Sequence, residues 1–174
     1  PIVCFGALIK LFVPDFSDSL IRSNFSIAIV SILMAFIMLL ADISTNRIIN
    51  LTNHKFRNSL YIGIAQAFAI FPGVSRSGVT ISIALLSGWN RKDATKFSLL
   101  LGIPAISLAA LVEFLSSINQ FSTFPFLPLF FGLITTFFSS LLAIDFLINF
   151  ISSNGLKFFS YYRFLFGIMI LLNL

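Results

Sequence analysis

Phe71-Pro72-Gly73-Val74-Ser75-Arg76-Ser77-Gly78-Val79-Thr80 is a polar, glycine-punctuated break in a chain that is otherwise almost wholly lipid-soluble. A guanidinium stays charged at any physiological pH, and holding it at membrane depth is costly unless an anion or a water-filled cavity compensates it. Hydroxyls and backbone amides surround this one, so the expected guest is a phosphate.

The apolar background gives the break its meaning. Of 174 residues, 58% are hydrophobic and 10% charged, with a mean hydropathy of +1.03. Charged residues make up about a quarter of an ordinary soluble domain. Repeated apolar runs long enough to cross a bilayer therefore predict an all-α, polytopic transmembrane helix bundle in a single membrane domain, 1–174. The net charge of +5 is scattered among short loops instead of gathered on one soluble face, which speaks against nucleic acid as a partner. Cys4 and His54 each stand alone, so neither an intrachain disulfide nor a cysteine- or histidine-built zinc site is expected. The chain opens on Pro1-Ile2-Val3-Cys4-Phe5 inside an apolar stretch and reads as a fragment whose upstream helices are missing.

Outward from the break, residues 59–71 and 79–88 are apolar but too short to span. Two half-length segments around a Pro/Gly/Ser turn predict a re-entrant helical hairpin over about 59–88, entering and leaving by one face. The alternative is a single kinked crossing. Spans are predicted at 1–13, 25–43, 96–114 (bent near Pro104), 124–150 and 157–174. The hairpin puts Arg47, Lys55, Arg57, Arg91, Lys92, Lys96 and Lys157 on one side and only Arg22 in the opposite loops, 14–24 and 115–123. The positive-inside rule then places the basic side in the cytoplasm and the C-terminus outside.

Within the break, Gly73 and Gly78 allow close ligand approach, and Pro72 ends the incoming half-helix. Ser77 is the expected N-cap of a helix beginning near Val79, which would leave the amides of 78–80 as an anion site. Arg76 supplies a forked donor, and Ser75, Ser77 and Thr80 supply hydroxyls. The G-x-x-x-x-G spacing from Gly73 to Gly78 is no P-loop, since Val79 stands where the lysine belongs. Gly73-Val74-Ser75-Arg76-Ser77 is no nucleophile elbow, lacking the last glycine. Gln66, two turns upstream, faces either the same cavity or a neighbouring helix. Arg163 reads as an interfacial anchor beside Tyr161 and Tyr162, and Asp42, Glu113 and Asp145 as caps or boundary markers. The plainest alternative for 72–78 is a surface loop with Arg76 on lipid headgroups.

At Gly63-x-x-Gln66-x-x-Ala69-x-x-Pro72-Gly73-x-Ser75-Arg76-Ser77-Gly78-x-Thr80 the chain resembles the undecaprenyl pyrophosphate phosphatases, the bacitracin-resistance membrane phosphatases of bacteria. Phe97-Ser98-x-Leu100-Leu101-x-Ile103-Pro104 and Tyr162-Arg163 extend the resemblance over nearly the whole chain, as the C-terminal two-thirds of such a protein. The resemblance implies an inverted-repeat architecture in the bacterial inner membrane and hydrolysis of undecaprenyl diphosphate to the monophosphate and inorganic phosphate. It implies that Arg76 and Ser75 are catalytic, that Ser77, Gly78, Thr80, Gln66 and Gly73 help bind substrate, and that a divalent cation (Mg or Ca) takes part, although no ligand for it is identified in this chain. The family's first signature, a glutamate-rich helix and a Pro-Val-Ser-Ser-Thr-Gly-His hairpin, is absent from 1–174, so this chain alone is expected to catalyse little. A broken-helix transporter or lipid flippase and a noncatalytic remnant are the competing readings. Membrane lipids are expected partners, and homo-oligomerisation is left open.

Overall fold

In hydrocarbon a backbone has only itself to satisfy its N–H and C=O groups, so apolar runs become helices. The computed structural model describes residues 1–12, 22–43, 48–117 and 126–173. Among these are seven α-helices and no strand: α1 (Ile2–Phe12), α2 (Asn24–Ile43), α3 (Phe56–Ala67), α4 (Arg76–Leu86), α5 (Arg91–Ser117), α6 (Phe126–Asn154) and α7 (Lys157–Leu172). Three of them, α2, α5 and α6, are long and apolar enough to cross a membrane. The protein is an all-α integral membrane protein. α7 has 16 residues, about 24 Å of helix, somewhat short of a hydrocarbon core of about 30 Å. Pro104 lies inside α5, which runs on past it. The expected loops 14–24 and 115–123 lie largely outside the described residues, as do Arg47 and the side chain of Lys10.

The two ends of the predicted hairpin lie side by side. Ile49 and Trp89 form an isolated parallel bridge, in which the Ile49 amide donates to the Gly88 carbonyl at 2.9 Å and the Asn90 amide to the Ile49 carbonyl at 2.9 Å. Trp89 is fully buried there, with its ring 5.1 Å from His54 and 5.0 Å from Phe97. The chain that enters α3 and the chain that leaves α4 therefore share one face, and the single kinked crossing is excluded. The incoming arm finishes earlier than the sequence suggests. α3 ends at Ala67 and tightens into a 3-10 turn, Phe68–Ile70, so Pro72 follows a helix that is already over.

α2 is the spine against which the hairpin and α7 pack. Its buried face, Ala28, Ser31, Met34, Ala35, Met38 and Ala41, follows helical spacing with small residues, which let backbones approach closely in a membrane. Gly167 of α7 uses that approach: a Cβ there would come within 2.9 Å of the Ala28 carbonyl oxygen.

At the loop end an ion pair ties three elements together. Arg91 Nη2 and Nε donate to Asp42 Oδ1 at 2.7 and 3.0 Å, joining the end of α2 to the start of α5. Asp42 is thus an ion-pair partner as well as a boundary marker. Gly155, in the α6–α7 turn with φ +76°, closes over the pair, and a Cβ at this position would fall on the Asp42 carboxylate. Gly155→Ala is expected to lower stability by about 1–3 kcal/mol through strain and collision, visible as a lower melting midpoint in detergent. Asp42→Asn should do the same by leaving Arg91 poorly compensated.

Candidate functional site

The tip of the hairpin packs on the first turns of α2, where Gly73 meets the Ile27 carbonyl, at the end of that helix opposite to Asp42. α4 has 11 residues, so its first residue, Arg76, stands about 16 Å from the bridged loop end. On α5 the guanidinium meets Gly102, whose missing Cβ leaves the space that Arg76 Nη1 occupies. Gly102 is eleven residues beyond the start of α5, again about 16 Å along the helix from the loop end. Arg76 Nη1 is buried without a hydrogen-bond partner.

The cap of α4 differs from the one expected. Ser75, in extended conformation, is the N-cap, and its hydroxyl accepts from the Gly78 amide at 3.1 Å. Because the helix starts at Arg76, the first-turn amides left over are those of Arg76 and Ser77, not those of 78–80. Ser77 is displaced from the cap, and its hydroxyl has no partner among the described residues. Gly78 is helical. It provides space and no unusual dihedral, since a Cβ there would stand 2.9 Å from Ser75 Oγ and 3.1 Å from Met38 Sδ. Gly73 does need its glycine: φ is +87°, and a Cβ would press on the Ile27 carbonyl at 2.8 Å.

Arg163 of α7 reaches the turn and donates from Nη1 to the Gly73 carbonyl at 2.7 Å. It is half-buried, whereas Tyr161 and Tyr162 beside it are exposed. The interfacial-anchor reading of Arg163 therefore gives way to a role at the break. Two clefts flank the α4 N-terminus. One, of about 170 Å³, is lined by Ser75, Ser77, Gly78, Tyr162 and Arg163 above an apolar floor that includes Met38 and Leu147. The other is a groove of about 780 Å³ between α5 and α6, walled by leucine and isoleucine, with Arg76 and Lys96 as its cations. Leu147 borders both.

Three of the expected site residues line neither cleft: Gly73, which borders a separate hollow with Arg22 on the far side of the turn, Thr80 and Gln66. Thr80 is fully buried. Its hydroxyl lies 2.9 Å from the Arg76 carbonyl and 2.6 Å from Ser98 Oγ. A hydroxyl has one proton, so with Thr80 donating to the carbonyl, Ser98 donates to Thr80. Thr80 thereby joins α4 to α5 instead of lining either cleft. Gln66 is 2% exposed on α3 with Oε1 unpartnered, and it borders neither cleft.

The chain matches the family described as bacitracin resistance protein BacA over residues 1–169. It belongs to that family. Curated relatives named undecaprenyl-diphosphatase include one from Prochlorococcus marinus strain MIT 9515, 76% identical over 174 residues, which are all of this chain and 65% of that protein. Another, from strain MIT 9301, is 67% identical with the same coverage, and one from strain NATL2A is 46% identical over 62% of its length. The chain thus spans just under two thirds of these family members.

Ser98 and the placement of Arg163 were beyond sequence reasoning, although both sit in stretches that carried the family resemblance. Thr80→Val should cost about 1–3 kcal/mol, because Ser98 loses its acceptor in a buried setting. The double variant Thr80→Val/Ser98→Ala is expected to be more stable than the sum of the two single changes predicts, as read from denaturation midpoints in a double-mutant cycle.

Proposed function

We propose that the protein serves hydrolysis of undecaprenyl diphosphate to undecaprenyl phosphate and inorganic phosphate, recycling a cell-wall lipid carrier, and that the break at 72–78 is the phosphate-binding element. The observation that carries this reading is the Arg76 guanidinium, with a buried, unpartnered Nη1 beside an apolar groove. A lipid diphosphate has the same two-part character. Its charged head matches the guanidinium, the free amides of Arg76 and Ser77 and the Ser77 hydroxyl, while its prenyl tail matches the α5–α6 groove. The names of the relatives support the same substrate.

Charge build-up on the transferring phosphoryl oxygens is what such donors stabilise. Water attack at the terminal phosphorus, with the P–O bond to the bridging oxygen breaking, moves negative charge onto the leaving monophosphate, and a fixed fork at Arg76 meets it without reorganisation. The Ser75 hydroxyl is occupied as an acceptor by the cap, which suits it to shaping the turn. We assign the nucleophile's activation and the proton transfer to the acidic first signature that the family resemblance implies.

The residues at the break do not by themselves fit a divalent cation. Their donors are hydroxyls, amides and guanidinium groups, with no carboxylate, and no group of three His, Cys, Asp or Glu among the described residues could hold a metal. No step here is routed through a metal.

Arg76→Ala in the family's full-length protein is expected to lower kcat/KM for phosphate release at least about 100-fold, with Arg76→Lys restoring little because it keeps the charge and loses the fork; near-normal turnover of either would refute the assignment. For orientation we propose that the basic loops are cytoplasmic and the C-terminus is external. In a Cys4→Ser background, Asn173→Cys should react with a membrane-impermeant maleimide added to intact spheroplasts, and labelling only after lysis would reverse the topology.

A further inference from the structure

We propose that Ser98 is a positioning residue of the phosphate-binding break, acting through Thr80 to hold and polarise the Arg76–Ser77 peptide group, whose N–H is one of the two amides left over at the start of α4. This rests on the reading above, because it assigns that amide to a phosphate oxygen.

Serine and threonine hydroxyls inside a helix commonly donate back to a carbonyl three or four residues earlier in the same helix. Thr95, Thr135, Ser153 and Ser160 all do so here. Ser98 does not. It is 3% exposed, and among the described residues its hydroxyl bonds only across the helix interface, 2.6 Å from Thr80 Oγ1. The direction of that bond follows from counting protons. Were Thr80 to donate to Ser98, the Ser98 proton would have no acceptor in a buried setting, which is costly. With Ser98 donating, the Thr80 proton goes to the main chain, where the Arg76 carbonyl lies at 2.9 Å and the Ser77 carbonyl at 3.2 Å.

The Arg76 carbonyl and the Ser77 N–H are the two ends of one peptide group. A donor on the carbonyl draws electron density toward its oxygen and leaves the N–H more positive, and hydrogen bonds in such a chain strengthen one another by about 10–30% each. Ser98, Thr80 and that peptide therefore form a relay that ends on the amide facing the phosphate. Thr80 is fully buried and Ser98 nearly so, so water does not compete for either hydroxyl. A dipole fixed in advance in this way counts most when charge builds on the phosphoryl oxygens. The same bond holds the backbone of the residue that bears the guanidinium, because the carbonyl at its end is Arg76's own.

In the family's full-length protein, Ser98→Ala should lower kcat for phosphate release about 3- to 10-fold with KM little changed, well short of the loss expected for Arg76→Ala. Thr80 supplies a crossed control. Thr80→Ser keeps the relay and loses a methyl group, whereas Thr80→Val keeps the shape and loses the relay. The relay requires Thr80→Ser to retain more turnover per folded molecule than Thr80→Val. The opposite order is the mark of a packing contact and would overturn the proposal. Wild-type kcat in Ser98→Ala would overturn it too, and a large loss in Arg76→Ala beside that result would leave the proposed function standing.

A magnetic-resonance measurement on the detergent-solubilised chain is independent of turnover. With nitrogen-labelled serine, the Ser77 amide is assigned by its disappearance in Ser77→Thr. Ser98→Ala should move the Ser77 nitrogen resonance to higher field, with the melting midpoint lowered only slightly, because Thr80 keeps its own carbonyl partner. An unmoved Ser77 resonance in folded Ser98→Ala would sink the relay while sparing the proposed function. A moved resonance, beside a full-length protein that releases no phosphate, would instead overturn the proposed function and keep the relay.

Discussion

Irregular backbone at membrane depth survives only where the protein itself satisfies it. The turn between α3 and α4 meets that requirement from both ends. Arg163 donates to the Gly73 carbonyl, and Ser75 caps the Gly78 amide. With those two bonds in place the chain can reverse inside the bundle, and the reversal puts an arginine one short helix, about 16 Å, away from the loop end. Remove the reversal and Arg76 has no route to that position, since α4 alone is too short to span.

Much of this was legible in the sequence because the signals are local. Apolar run length gave the long helices, and half-length arms around Pro72 and Gly73 gave the hairpin. The N-cap was misplaced because Ser75 and Ser77 are both good caps. Ser75 prevails because it is extended in the turn, and Gly78, three residues on, brings an amide to its hydroxyl with no Cβ to crowd it. Thr80 and Arg163 could not be placed from local sequence. One depends on the register of α4 against α5, the other on a contact ninety residues away, and neither leaves a periodic trace.

The break has two chemically different sides. Toward α5 and α6 lies a long apolar groove with Arg76 beside it; toward α2 and α7 lies a small cleft with Arg163 and Ser77 above an apolar floor. The buried Thr80–Ser98 contact fixes the α4–α5 register that aims Arg76 at the groove. An amphiphile with a doubly charged head suits that asymmetry better than any wholly polar or wholly apolar molecule.

The hairpin also constrains the order of biogenesis. Its arms, of 12 and 11 residues, are each too brief for the translocation machinery to release as independent crossings, and the turn between them is polar. The tip's tether sits on α7, ninety residues after the turn it holds. The re-entrant element therefore settles only after α5, α6 and α7 have been made, as a lodger in a bundle whose outer walls already stand.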